Sequence, residues 1–276
     1  MLFADDSTLS CKIDQNNIIH STNKINSELE KVCTWLNANQ IKLNIEKSTF
    51  LVFSYMKSIN LPPILINQCI LAESNHTKFL GLTIDNRLNF APHIFHIKSK
   101  LAKSVGILYR LRYMLPTCTL LTLYHSLILP HMNYVIEAWQ SAPNYLKQEV
   151  FILQKKAIRA IYHLPYNSHT HESFKDSGLL KLDDLIKIRL CTQIYEAIHS
   201  NDHSLSSFIK THQENTARNT RNMKKLMLPF FRKSRSQAGF LYSGIKEWNE
   251  LPESVKNSRS QNAFKSRIKK YFLSLY

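Results

Sequence analysis

The sequence predicts an α+β protein in which a short sheet-containing part precedes a longer helical part. Residues 1–92 combine one amphipathic helix with several short runs rich in Ile, Leu, Val and Phe. From residue 93 onward, the apolar residues recur at helical spacing instead. Hydrophobic residues make up 44% of the 276 residues, which is enough to fill a core and excludes a disordered chain.

A β-hairpin is predicted at the start of the chain. Residues 1–4 and 8–13 are strand-like, and the polar residues Asp5, Asp6 and Ser7 separate them. A polar break between two strand-like runs is typical of a hairpin turn. This turn would carry two adjacent carboxylates.

One helix and three strands are expected to complete the first part. Ser21 or Thr22 can cap the helix by accepting a hydrogen bond from a backbone N–H of its first turn. Strand candidates occupy residues 49–55, 64–71 and 78–84. The apolar stripe of the helix follows the 3.6-residue period at Ile25, Leu29, Val32 and Leu36.

Helices dominate the prediction after Pro92. Apolar stripes at helical spacing predict one helix with its inner face from Ile94 to Leu108, a second over residues 117–129 that ends at Pro130, a third over residues 145–163 and a fourth beginning near residue 182.

The end of the chain is predicted to hold a linker and a last helix. Residues 201–223 are polar and are expected to form the linker. The last helix starts at about Ser260 and places Phe264, Ile268 and Phe272 inward.

Positive charge is concentrated in the helical part. Residues 1–92 hold eight basic and eight acidic side chains, whereas residues 93–276 hold 28 and 12, so the formal charge of +16 lies entirely in the second part. A charge-balanced part followed by a cationic one indicates a surface for polyanionic partners. Only five glycines are present, which excludes Gly-rich architectures.

The cysteines and the N-terminus predict an intracellular protein, nuclear or cytoplasmic. Cys11, Cys33, Cys69, Cys118 and Cys191 form no CxxC pair, which argues against a zinc ribbon and a disulfide scaffold. The acidic start does not match a secretory signal. The longest apolar stretch is too short to span a membrane, so no membrane partner is expected.

Two neighbouring acids suit Mg²⁺, which prefers oxygen ligands, but an Asp pair alone is more often a solvated turn. Three motifs in the same order as in a known family favour the metal site over the solvated turn. Phe3-Ala4-Asp5-Asp6 resembles the Y/F-A-D-D box of the reverse transcriptases of non-LTR (LINE-type, jockey-like) retrotransposons. Leu43-Asn44-Ile45-Glu46-Lys47-Ser48 is similar to their L-N-x-x-K-T/S element, and Phe79-Leu80-Gly81-Leu82-Thr83-Ile84-Asp85 to their F-L-G-x-x-x-D primer grip.

The likeness continues to the end of the chain. Leu129-Pro130-His131-Met132-Asn133-Tyr134 and the nearby Trp139 resemble part of the family's thumb, and Trp248-Asn249-Glu250-Leu251-Pro252 resembles a tail found in several clades. The resemblance implies a partial polymerase palm (hairpin, helix and short strands) over residues 1–92, a mostly α-helical thumb over residues 93–164 and a C-terminal helical, basic domain over residues 165–276.

The resemblance also implies roles for the motif residues in an RNA-directed DNA polymerase. Asp5 and Asp6 would hold Mg²⁺, and Lys47 would lie near the incoming triphosphate as a candidate proton donor. Phe79, Leu80 and Gly81 would form the primer grip. A deoxynucleoside triphosphate would bind only where the palm is complete.

The palm expected here is incomplete, because the fingers and the earlier palm strands with a further metal-binding aspartate are expected before Met1. Phosphoryl transfer is catalysed by positioning and charge neutralisation, so losing these parts removes most of the catalyst. We therefore expect an RNA-directed DNA polymerase fragment that is inactive alone.

Cations of the predicted thumb are candidates for gripping an RNA/DNA hybrid or another nucleic acid. Lys and Arg neutralise phosphates, and an A-form hybrid is held mainly through its backbone. The alternative is that several of them are solvent-exposed residues of helix faces and bind no nucleic acid. The candidates are Lys98, Lys100, Lys103, Arg110, Arg112, Lys155, Lys156 and Arg159.

Other functions remain open on the sequence. A non-catalytic nucleic-acid-binding module would keep binding after both aspartates are replaced, and a helical interaction protein would not prefer a hybrid over other polyanions. A group II intron maturase also has a Y/F-A-D-D box, but the tail around Trp248 argues against it. His93 with His96 and His169 with His171 are expected to be structural or surface residues, because no Cys lies at ligand spacing.

Overall fold

The computed structural model describes residues 2–3, 6–54, 59–199, 203–210 and 225–276. It divides into two compact units, Met1–Leu88 (the N-terminal unit) and Asn89–Tyr276 (the C-terminal unit). The first holds short strands and a helix, and the second is helical. The molecule is therefore α+β, as predicted.

Helix α1 spans Ile18–Ala38, and Asn17 caps it by accepting a hydrogen bond from the His20 backbone N–H at 3.3 Å. The prediction of Ser21 or Thr22 as the cap was wrong. The Thr22 hydroxyl instead donates to the Ile18 carbonyl inside the first turn. Asn is as good an N-cap as Ser, so the helix starts one turn earlier.

The described residues of the N-terminal unit form four two-stranded pairings. β1 (Leu2–Phe3) pairs with β2 (Asp6–Ser7), β3 (Thr49–Phe50) with β6 (Ala72–Glu73), β4 (Leu65–Ile66) with β5 (Cys69–Ile70), and β7 (His76–Phe79) with β8 (Leu82–Asp85). Only the β3–β6 pair is parallel.

The first hairpin is tighter than the sequence predicted. Phe3 pairs with Asp6, so Asp6 and Ser7 belong to β2 rather than to the turn. Residues 8–13 form no strand and are mostly exposed. The polar residues at 5–7 predicted a turn, but the hydrogen bonds of strand pairing are made by the backbone and do not require apolar side chains.

Two predicted single strands are hairpins. Residues 64–71 fold back at Asn67 and Gln68, whose φ values are 47° and 64°, and residues 78–84 fold back at Leu80 and Gly81, with φ of 46° and 85°. Positive φ at both central residues matches the right-handed twist of the flanking strands. Continuous apolar runs hid both turns.

The core of the N-terminal unit lies between α1 and the β4–β5 hairpin. The side chain of Asn26 joins them, because its amide donates to the Pro63 carbonyl at 3.2 Å and its oxygen accepts from the Leu65 N–H at 3.0 Å. The buried residues of this core are Cys33, Ile64, Ile66 and Leu71.

Helices α2 (Ala91–Leu111), α3 (Thr117–Leu127), α4 (Leu129–Asn133), α5 (Ile136–Trp139) and α6 (Asn144–Ile161) open the C-terminal unit. The prediction that Pro130 ends a helix was wrong, because Pro130 lies in the first turn of α4. Proline is tolerated there because the first N–H groups of a helix have no intrahelical partner.

The remaining helices within the described ranges are α7 (His171–Ser177), α8 (Leu182–His199), α9 (His203–Ser206), α10 (Ser234–Gln237), α11 (Phe240–Glu250), α12 (Glu253–Lys256) and α13 (Gln261–Leu273). The predicted linker contains α9, and its residues 211–223 lie outside the described residues. Ser260 caps α13, and Phe264, Ile268 and Phe272 are buried as predicted.

A buried polar contact organises the start of α8. The amide nitrogen of Gln154 donates to the Tyr124 hydroxyl and to the Leu180 carbonyl, each at 2.8 Å, and its oxygen accepts from the Leu182 N–H at 3.0 Å. Gln154 is fully buried. One side chain thus ties α3, α6 and α8 together.

Aromatic rings join α8, α11 and α13. Tyr195 stacks on Phe264 with ring centroids 4.5 Å apart, and Trp248 lies 5.6 Å from Phe264. Asn249 beside it grips the backbone of Leu226 through both its amide nitrogen and its oxygen. The tail motif around Trp248 therefore contributes to the packing of the C-terminal unit. Within the described ranges, no helix is long and apolar enough to cross a membrane.

Candidate nucleic-acid interface

The two helices that carry most predicted cations, α2 and α6, lie side by side and run in the same direction. The Lys98 ammonium contacts the Glu149 carboxylate near their starts. The rings of Tyr113 and His163, just beyond their ends, are 5.5 Å apart. Both helices therefore end in the same region.

Five of the eight predicted cations contact other groups of the protein, among them Lys98, Lys155 and Arg159. Lys98 forms the ion pair with Glu149, and Arg159 donates through Nε to the Ser168 carbonyl at 3.0 Å. The Lys155 ammonium lies 4.9 Å from the centre of the Phe151 ring. The ion pair and the hydrogen bond occupy the charged groups of Lys98 and Arg159.

Three others are exposed on α2. Lys103 and Arg110 are seven residues apart, so they share one face of the helix two turns apart, and Lys100, three residues before Lys103, neighbours it on the helix surface. These side chains form no ion pair or side-chain hydrogen bond with the rest of the described chain. Lys103 and Arg110 are therefore exposed cations placed to act together, with Lys100 beside Lys103.

The last two, Arg112 and Lys156, line a cleft of about 730 Å³ where α2 and α6 end. The Arg112 guanidinium lies 4.4 Å from the centre of the Tyr113 ring and 5.2 Å from that of Tyr109, and it donates to the Tyr113 hydroxyl. The Lys156 ammonium lies 5.8 Å from the Tyr166 ring centre. None of the residues lining this cleft is acidic.

The sequence analysis missed the aromatic side chains of this cleft. Tyr109 and Tyr113 are four residues apart, beside Arg110 and Arg112, so aromatic residues interleaved with cations were a signal in the printed sequence. Tyr166 carried no such signal, since only folding brings it to Lys156.

His93 is a buried histidine on the side of α2 that faces away from the cleft. Burial, together with the positive charges of His96 and Lys100, lowers the pKa of His93 to about 4. His93 is therefore neutral near pH 7. The predicted structural role agrees with its burial, and no group of three or more potential metal-ligating side chains occurs among the residues that the structure describes.

The predicted catalytic residues belong to the N-terminal unit. Asp5 and the side chain of Asp6 lie outside the described residues, and the backbone of Asp6 pairs with Phe3 in the hairpin. Lys47 is exposed at the end of a 3₁₀ turn over Ile45–Lys47, and its N–H donates to Asn44 Oδ1 at 3.2 Å. Two adjacent carboxylates have the oxygen donors that Mg²⁺ prefers.

The predicted primer grip is the turn of the β7–β8 hairpin. Phe79 ends β7, and Leu80 and Gly81 form the two-residue turn. Asp85, which closes the motif, is buried and accepts from the Arg87 N–H at 3.3 Å. The motif therefore specifies a tight hairpin.

Sequence comparisons relate the chain to RNA-directed DNA polymerases. It is 23% identical over 212 residues to the RNA-directed DNA polymerase from mobile element jockey of Drosophila melanogaster, which covers 76% of this chain. It is 28% identical over 130 residues to a probable RNA-directed DNA polymerase from transposon X-element and 26% identical over 166 residues to one from transposon BS, both of the same species.

These matches confirm the predicted resemblance to non-LTR retrotransposon reverse transcriptases, here over about half to three quarters of the chain. The chain spans only 23%, 14% and 18% of the lengths of those three relatives. No family model matches the chain, and no solved structure does either.

Proposed function

We propose that this chain is a part of an RNA-directed DNA polymerase that binds primer/template, and that its C-terminal unit grips the sugar-phosphate backbone of an RNA/DNA hybrid. The observation that carries this proposal is the exposed pair Lys103 and Arg110 on one face of α2, in a chain related to such polymerases. Two exposed cations on one helix face that have no partner in the described chain can neutralise backbone phosphates.

The proposal assigns residues 1–92 to the palm, residues 93–164 to the thumb and residues 165–276 to a basic C-terminal domain. Asp5 and Asp6 would hold Mg²⁺ within a complete palm, Lys47 would face the nucleotide triphosphate, and Phe79 to Gly81 would support the primer. Mg²⁺ would supply charge neutralisation of the transferring phosphate.

Hybrid binding is tested by fluorescence anisotropy of a labelled RNA/DNA hybrid over a series of salt concentrations. The logarithm of the affinity should fall with the logarithm of salt by about 0.7 to 0.9 per neutralised phosphate. The double change Lys103→Gln and Arg110→Gln should lower this slope by about 1 to 2.

The matched control for charge removal is Lys175→Gln, an exposed lysine of α7 away from α2. It should leave the slope as it is. An equal loss in the control and in the double variant, or equal affinity for heparin and hybrid, would instead favour the helical interaction protein.

Primer extension separates binding from catalysis. Because the relatives are more than four times as long as the matched stretch, we propose that polymerisation needs more than this chain. On a homopolymer template the chain should incorporate no more nucleotide than the variant Asp5→Asn. Incorporation well above that variant would contradict this part of the proposal, and unchanged hybrid binding by Asp5→Asn would support a separate binding surface.

A further inference from the structure

The cleft where α2 and α6 end has a lining that differs from the rest of the cationic surface. It combines the cations Arg112 and Lys156 with the rings of Tyr109, Tyr113 and Tyr166, and no carboxylate lines it. From this combination we infer that the cleft binds unpaired nucleotides of a nucleic-acid strand. The inference rests on the proposed function, since it names the part of the nucleic acid that this site would hold.

The rings offer faces on which bases can stack. Tyr113 is 75% exposed and Tyr166 is 69% exposed, although both could bury large apolar areas. Base-to-aromatic stacking stabilises single-strand complexes and tolerates any base. The faces of paired bases are covered by their neighbours in a duplex, so these rings select unpaired nucleotides.

The cations are positioned before a ligand arrives. Arg112 is held over two tyrosine rings and by its hydrogen bond to the Tyr113 hydroxyl. Lys156 lies beside the Tyr166 ring across the cleft. Each cation therefore accompanies one exposed ring, which is the pairing that a nucleotide needs for its phosphate and its base.

A glycine keeps the α2 wall of the cleft open. Gly106 lies in the helix interior, where glycine costs roughly 1 kcal/mol relative to alanine. A Cβ added there would meet no atom within 4 Å, so packing against the protein does not require glycine. Space for a ligand does explain it.

An acidic peptide is the competing occupant for two cations. It would use Arg112 and Lys156 but would gain little from the faces of Tyr113 and Tyr166. The stacking faces and the open wall at Gly106 favour a nucleotide strand, and the experiment includes a polyglutamate competitor to separate the two.

The experiment measures the affinity of the full chain for three labelled probes. These are a blunt RNA/DNA hybrid, the same hybrid with an unpaired five-nucleotide extension, and an oligo(U) strand. The extension should raise the affinity of the unchanged chain. Gly106→Leu, which places a branched side chain on the α2 wall of the cleft, should lower oligo(U) affinity tenfold or more and abolish the gain from the extension, while blunt-hybrid affinity stays within twofold.

Matched variants distinguish a change in the cleft from a loss of the folded structure. Gly106→Ala adds one methyl group in open space and should lower oligo(U) affinity much less than Gly106→Leu does. Tyr113→Ala with Tyr166→Ala should lose it, while Tyr145→Ala, which removes a 66% exposed ring outside the cleft, should not. Thermal unfolding checks that each variant is folded.

The outcomes separate this inference from the proposed function. Blunt-hybrid binding with no gain from the extension and no effect of Gly106→Leu on oligo(U) would overturn the inference and leave hybrid binding intact. Oligo(U) binding that the cleft variants abolish, without any hybrid binding, would support the inference and contradict the hybrid proposal. Displacement of oligo(U) by polyglutamate at equal charge concentration would overturn the inference in favour of an acidic peptide.

Discussion

Gln154 shows how much one buried side chain can hold together. Its amide satisfies the Tyr124 hydroxyl, the Leu180 carbonyl and the Leu182 N–H. Gln154→Leu keeps the volume but leaves these three groups buried without a partner. We expect the free energy of unfolding to fall by about 2 to 5 kcal/mol, measured by urea denaturation.

The control lies on the same helix. Gln148 is exposed on α6, so Gln148→Leu should change the free energy of unfolding by less than about 0.5 kcal/mol. Equal effects of the two substitutions would contradict the role given to Gln154.

His93 makes the stability of the C-terminal unit depend on pH. Its pKa is lowered from 6.5 to about 4, mainly by burial and further by the charges of His96 and Lys100. Between these two values the unfolded chain binds a proton that the folded chain excludes, so stability is complete above pH 6.5 and is lost as the pH falls toward 4. The loss should reach up to about 3 kcal/mol.

Thermal unfolding between pH 4.5 and 7.5 measures this effect. His93→Gln should flatten the pH dependence, whereas His169→Gln, at an exposed position, should keep it. A pH profile that His93→Gln leaves unchanged would contradict the assignment to His93.

Several residues that carried the family resemblance have local structural tasks. Asn44 caps the 3₁₀ turn before Lys47, Asp85 accepts from the Arg87 N–H, and Asn249 holds the backbone of Leu226. The motifs were readable because capping and turn chemistry depend on a few residues close in sequence. The complete cleft could not be predicted from the sequence, because only folding brings Tyr166 close to Lys156.

At the scale of elements, the long helices were predictable and the short strands were not. The helix predicted from residue 182 is α8 over Leu182–His199, because its apolar positions keep one period for five turns. The strand predicted over residues 64–71 is a hairpin, because its turn at Asn67 and Gln68 lies inside an apolar run. Periodicity detects long elements, whereas a two-residue turn depends on φ.

The hairpin turn can be improved by a residue that tolerates positive φ. Gln68 has φ of 64° and no side-chain reason for it, so Gln68→Gly should stabilise the β4–β5 hairpin by about 0.5 to 1 kcal/mol. The Leu71 amide, bonded to the Ile64 carbonyl, reports on this by slower hydrogen exchange. Gln68→Ala keeps a Cβ and should not slow that exchange, and equal protection in both variants would contradict the turn argument.

Across the whole molecule, the two units differ in how well they are packed. The N-terminal unit holds a small buried cluster, made of Cys33, Ile64, Ile66 and Leu71. The C-terminal unit buries large side chains such as Trp139 and Phe264 completely. Stability follows buried apolar area, so the units should not unfold together.

Hydrogen exchange in increasing urea tests this difference. Amides of α1 should exchange by opening of the N-terminal unit at low urea, while those of α8 should stay protected until the C-terminal unit unfolds. The same dependence on urea for α1 and α8 would show that the chain unfolds as one cooperative body.

The shared direction of α2 and α6 has an electrostatic consequence for the cleft at their ends. Each helix presents its carbonyl end there, and a helix C-terminus carries a partial negative charge of about half a unit. Backbone dipoles therefore repel a phosphate in the cleft, in contrast to the helix N-termini that many phosphate sites use. Any anion held there depends wholly on the ammonium and guanidinium of Lys156 and Arg112, and neutralising both would leave a surface that rejects it.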